Sequence, residues 1–106
     1  MKVNGEVDVN TFVDQAAGIA KALDAGTALV YNDSNKTVQF YCYNGGDIFM
    51  TIPFVKPVIA HGYSGLVAAG GSMFKVFADN KSEGEFLVKP NHAYVYRGPG
   101  KIEAVQ

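Results

Sequence analysis

Residues 40 to 50, "FYCYNGGDIFM", set three aromatics and the only cysteine of the chain ahead of a glycine pair. Cys42 is the strongest nucleophile type present, but thiol chemistry needs an exposed, stabilised thiolate. The side-chain pattern predicts the opposite. With Asn44, Gly45 and Gly46 as a three-residue loop, Cys42 faces Ile48, Tyr41 faces Phe49 and Tyr43 faces Asp47. One face then carries Val38, Phe40, Cys42, Ile48, Met50 and Ile52, which is a core face. The other carries Gln39, Tyr41, Tyr43, Asp47, Phe49 and Thr51. A two-residue loop would break this segregation, so the longer loop is expected. Cys42 is then an inert core thiol.

The mixed face offers different chemistry. Flat rings beside hydrogen-bonding groups suit a sugar or a polar lipid head group: the rings stack on C–H faces and the polar groups fix orientation. Tyr41, Tyr43, Asp47 and Phe49 are the candidate ligand-binding residues, and Tyr63, Tyr94 and Tyr96 could extend the surface. Cover of the same face by the helix or a second sheet is the commoner use of such residues and stands ahead of ligand contact. Tryptophan is absent from the chain, which weakens a sugar-stacking reading.

His61, in "IAHGYSG", and His92, in "KPNHAY", are the remaining candidates for acid–base work. Both fall in turn-like sequence and read as exposed turn residues. "HGYSG" does not match the nucleophile-elbow pattern and no strand-then-helix follows it. No zinc-type spacing of Cys and His occurs, and Asp33, Asp47 and Asp79 do not form a calcium loop. "GLVAAGG" and "RGPGK" lack the features of a phosphate-binding loop. Neither a cofactor nor a metal is expected.

These residues need elements to hold them. Residues 11–24, "TFVDQAAGIAKALD", put Phe12, Ala16, Ile19, Ala20 and Leu23 on one helical stripe, with Asp14, Gly18 and Lys21 opposite. Thr11 with Asp14 has the form of a capping box, and Gly26 supplies a stop. After Gly26 the period becomes two. "TALVYN", "KTVQFYCY", "DIFMTI", "SGLVAA", "SMFKVFA", "GEFLVK" and "HAYVYR" read as strands, and "KIEAV" follows as a final one. Pro53 and Pro57 exclude a central strand between them and Gly62, leaving an edge strand or an ordered loop. The expected fold is mostly β: an antiparallel β-sandwich or small barrel of seven to eight strands, about 27–105, preceded by one N-terminal amphipathic helix.

The 106 residues fit a single domain, 1–106, with 48% hydrophobic and 18% charged residues. A net charge of -1 gives no general pull towards nucleic acid. The start has no signal-peptide core, no stretch has the length of a transmembrane segment, and the lone cysteine fits a reducing compartment. The cytoplasm is the expected location, with leaderless export left open. Asn32-Asp33-Ser34, Asn35-Lys36-Thr37 and Asn80-Lys81-Ser82 have the glycosylation pattern but read as turns.

The run from "VYNDSNKTVQFYCYN" to "VKPVIAHGYSGLVAAG", preceded by an amphipathic helix, resembles part of the small β-sandwiches of actinoporin-like cytolysins and related fungal lectins. The resemblance covers about forty residues. Their tryptophan-containing lipid-binding surface has no counterpart here, and no site residue carries over. The function expected is a non-enzymatic module that binds a carbohydrate or polar lipid head group through a tyrosine-bearing β surface. The alternative is a self-associating structural protein with no small-molecule ligand, in which Phe77, Leu87 and Met73 pack between copies. A small hydrolase using His61 or His92 is a third reading. A homo-oligomer, most simply a dimer, is the expected assembly.

Overall fold

The computed structural model describes residues 4–23, 26–44, 54–67, 74–78, 85–98 and 101–105. In chain order these form strand β1 (Asn4–Glu6), helix α1 (Val9–Ala22), and strands β2 (Thr27–Asn32), β3 (Val38–Asn44) and β4 (Phe54–Val58). Then come β5 (Gly62–Val67), β6 (Phe74–Ala78), β7 (Glu85–Val88), β8 (Ala93–Gly98) and β9 (Lys101–Ala104). The strands make two sheets, ordered β1-β5-β2-β8-β9 and β4-β3-β6-β7. The fold is small and β-rich, with one helix, as the alternation of apolar residues predicts.

Two apolar clusters account for the layering. Between the sheets lie Ala28, Val30, Leu66, Tyr94 and Tyr96 from the five-stranded sheet and Val38, Phe40, Cys42, Val76, Phe86 and Val88 from the other. On the far side of the five-stranded sheet, Phe12, Ala16, Ala20 and Leu23 of the helical stripe cover Leu29, Tyr31, Tyr63, Ala93 and Val95. The helix therefore lies flat on the outside of one sheet, and the order of layers is helix, five strands, four strands. All six residues of β2 are buried, because it has a neighbour on both faces. The alanines at 16 and 20 let the helix approach closely.

The helix is set two residues earlier than expected. Its N-cap is Asp8, whose Oδ1 accepts the Thr11 N–H at 2.7 Å. Thr11 lies inside the first turn, so the Thr11–Asp14 capping box does not form. Asp caps better than Thr, and hydrogen bonds from the Thr11 side chain first and its N–H second hold the Asp8 carboxyl below its ordinary range. At the other end, the Asn91 side chain donates from Nδ2 to the carbonyls of Ala20 and Leu23 (3.1 and 2.9 Å). This satisfies orphan carbonyls of the last turn. Gly26, at φ +85°, makes the turn into β2.

Two pairings differ from those expected of the antiparallel sandwich. β2 and β8 run parallel, with Leu29 opposite Ala93 and Tyr31 opposite Val95. β3 pairs with β4 from Val38 to Cys42. Cys42 has Phe54 on one side and Val76 on the other, so Ile48 is not its partner. The offset between the two registers is 54 − 48 = 6 residues. An even slip preserves which side chains face inward, so face segregation fits both registers equally well. Residues 47–52 lie outside the described residues. β4 is an edge strand that contains Pro57, in agreement with the proline-based expectation.

Candidate functional site

The outer face of the β4-β3-β6-β7 sheet carries Tyr41, the one candidate ligand-binding residue whose side chain is described. On β3, Val38, Phe40 and Cys42 point to the core, so Gln39 and Tyr41 alternate onto the outside. Tyr41 is half-buried and stands between Val55 on β4 and the Phe77 position on β6. Val55 is 48% exposed and Leu87 53% exposed, with Pro57 and Gln39 also exposed beside them. Tyr43 is opposite Lys75 in the register. The Tyr43 side chain, Asp47 and Phe49 lie outside the described residues, as do Met73 and the Phe77 side chain. The helix covers the other sheet, so it does not lie over Tyr41.

The remaining tyrosines are structural, which corrects their expected role in extending the surface. Tyr63 is buried beneath Phe12, with ring centroids 5.7 Å apart. Tyr96 is buried between the sheets, edge-on to Phe40 at 5.5 Å. Tyr94 is buried there too, its hydroxyl accepting the Lys89 N–H at 2.8 Å. Tyr31 stacks on Phe12 at 4.9 Å and donates its hydroxyl to the Val7 carbonyl at 2.7 Å. Burial raises the Tyr31 pKa, and nearby Asp33, Asp8 and Glu6 add to the effect.

No family model, curated protein or solved structure matches the chain. The reading of the site therefore rests on its own geometry.

The histidines sit at opposite ends of β2. His61 is exposed at φ +58°, its N–H donating to the Asn32 carbonyl at 2.8 Å and its carbonyl accepting the Val7 N–H. His92 is exposed and its carbonyl accepts the Leu29 N–H. His61 borders an open depression of about 650 Å³ with Glu6, Val7, Asp8, Val9 and Asp33. That lining contains no hydroxyl or thiol. Ser64 of the "HGYSG" stretch is buried and donates to the Gly65 carbonyl at 3.2 Å. Among the described residues no three Asp, Glu, His or Cys come together as metal ligands. No helix among them is long and apolar enough to cross a membrane.

Two features escaped the sequence. Val55 is hidden by the prolines around it, and Val55-Lys56-Pro57-Val58 has no alternation of apolar and polar residues to reveal it. Arg97 binds Asp33 at 2.7 Å and Glu103 at 2.7–2.8 Å, joining β8, β9 and the end of β2. These carboxylates raise the Arg97 pKa further. Nothing in sequence spacing signals a partner 64 residues away.

Cys42 is buried, and desolvation pushes its thiol up to about 12. Native protein is expected to resist thiol reagents near neutral pH and to label fully in denaturant; rapid native labelling would contradict the inward position. The ordinary thiol value is 9.0, below the folded one. The contribution of Cys42 to stability is therefore intact below about pH 9 and is lost as pH rises towards 12. The loss is on the order of 4 kcal/mol when complete. Cys42→Ala should lower stability but flatten its alkaline dependence, as read by denaturant midpoints across that window.

Proposed function

We propose that the protein is a non-enzymatic binding module that recognises a carbohydrate or polar lipid head group on the outer face of the β4-β3-β6-β7 sheet, centred on Tyr41. One observation carries this reading. Of the tyrosines with described side chains, Tyr31, Tyr63, Tyr94 and Tyr96 are buried in the core, and Tyr41 alone reaches the surface. Its neighbours supply apolar contact from Val55 and Pro57 and an amide from Gln39. A ring flanked by such groups is suited to a ligand with an apolar C–H face and polar rim. Tyr43 stands two positions along β3 from Tyr41; the observed register takes away the pairing that set Phe49 opposite Tyr41 and Asp47 opposite Tyr43, so those two are not part of the proposal.

A single aromatic contact contributes roughly 0.5–1.5 kcal/mol beyond area burial. Binding by one copy is therefore weak, and clustered copies should bind far more tightly through avidity. The test is a glycan microarray and a phosphatidylcholine vesicle assay, each run with the protein free and with the protein clustered on a bead. Binding that emerges on clustering is the expected result. Failure of clustered protein to retain any glycan or vesicle would overturn the reading.

Self-association is the second reading, and the exposure of Val55 and Leu87 favours it. For His61 a hydrolase gains no support, since the described lining of the depression beside it holds no hydroxyl or thiol.

A further inference from the structure

The edge of a sheet presents unpaired N–H and C=O groups, a template for another strand unless something blunts it. Of the four edges in the two described sheets, three are blunted. β4 contains Pro57, which lacks an N–H, and exposes Lys56. β1 is three residues long. β9 pairs across a register irregularity at Tyr96/Gly98 and exposes Lys101 and Glu103, the latter already bound by Arg97. β7 has no proline and no register irregularity, and it exposes Leu87.

We propose that β7 is a self-pairing edge, at which a second copy of this chain adds its own β7 antiparallel about a two-fold axis through Leu87. The stretch Glu85-Phe86-Leu87-Val88-Lys89 is complementary to itself in that register. Glu85 comes level with Lys89 of the second copy, Phe86 with its Val88, and Leu87 with its Leu87, so opposite charges meet at both ends. Centring the pair on Phe86 sets Glu85 against Leu87, and centring it on Val88 sets Lys89 against Leu87. An offset by one residue mixes the two faces. The Leu87 register alone pairs charge with charge and apolar with apolar.

The axis of such a pair is perpendicular to the sheet. The two four-stranded sheets become one continuous sheet, and both Tyr41 faces lie on the same side of it. A weak single-ring site is thereby doubled towards one surface. This consequence rests on the proposed function; the pairing itself does not. The pair takes in β7 and Lys89, one residue beyond it, and is small beside the interfaces of about 1,200–2,000 Å² that hold stable complexes, so the dimer forms in proportion to concentration.

The test is oxidative cross-linking of the full chain. Directly opposite residues in an antiparallel pair have Cα atoms about 4.5–5.5 Å apart, within the span of a disulfide. Leu87→Cys should therefore form a covalent dimer under mild oxidation. Lys89→Cys should not, because its symmetry mate lies four residues along the strand, about 13 Å away. Cys42 is buried and does not interfere. In the Leu87→Cys background, Glu85→Lys should slow the cross-link several-fold and Glu85→Lys with Lys89→Glu should restore it. Equal cross-linking at both positions, or none at either in concentrated protein, would overturn the pairing. Glycan and vesicle binding by clustered protein is read separately, so each idea can fail alone.

Discussion

Asn32→Asp is expected to lose about 3–5 kcal/mol of stability, the cost typical of a buried charge left without its partner. Asn32 is fully buried at the end of β2. Its Nδ2 donates to the carbonyls of Lys36 (2.8 Å) and Val58 (2.9 Å). Its Oδ1 accepts from the Ser34 N–H (3.0 Å) and the Ser34 hydroxyl (2.6 Å). One amide thus ties the five-stranded sheet, the turn into β3 and the edge strand β4 together. Aspartate sets an acceptor against two carbonyls, which no rotation of the side chain can relieve. A single domain has only about 5–15 kcal/mol in total, so the variant should be partly unfolded at modest urea. A change below about 1 kcal/mol would show that this amide does not tie the layers. The same two bonds occupy the nitrogen that a glycan would need, so Asn32, which closes β2 and does not lie in a turn as expected, has a structural role despite its glycosylation triplet.

Phe12→Ala should have an effect of the same size, about 3–5 kcal/mol, and should release the helix. Phe12 is fully buried, stacks on Tyr31 at 4.9 Å and meets Tyr63 in a tilted contact at 5.7 Å. Without it the alanines at 16 and 20 are the main contact left beneath the middle of the helix. A helix of 14 residues is marginal by itself in water. Helical circular dichroism should then fall at lower denaturant than the β signal. Val13→Ala, one residue along but exposed, should stay within about 0.5 kcal/mol of the parent. Equal effects of the two substitutions would contradict the helix's orientation.

How much of this was legible depends on what each pattern encodes. The stripe Phe12, Ala16, Ile19, Ala20, Leu23 identifies the helix face, because a period near 3.6 has no other simple use. Alternation in Val38-Gln39-Phe40-Tyr41-Cys42 identifies which residues of β3 face inward. It cannot identify the neighbouring strand, since any even slip keeps the faces. The sheet that lies beneath the helix had a signal of its own. "TALVYN" is continuously apolar up to Asn32, the pattern of a strand buried on both faces, whereas β3 alternates and is covered on one. Tyrosine type alone says nothing about burial: Tyr41 meets solvent, and Tyr63, Tyr94 and Tyr96 do not. The helix start was misread because Asp8 and Thr11 are both capping residues, and the carboxylate at Asp8 wins.

Tyr41→Ala tests the central claim most directly. The ring is half-buried on the outer strand face, where substitutions span about 1 kcal/mol, so the variant should fold with a denaturation midpoint close to that of the parent. Its clustered form should lose the glycan or phosphatidylcholine binding that the clustered parent displays. A folded Tyr41→Ala protein that binds as well as the parent would contradict a site centred on this ring. A Tyr41→Ala protein that unfolds would contradict its outer position and place the ring in the core.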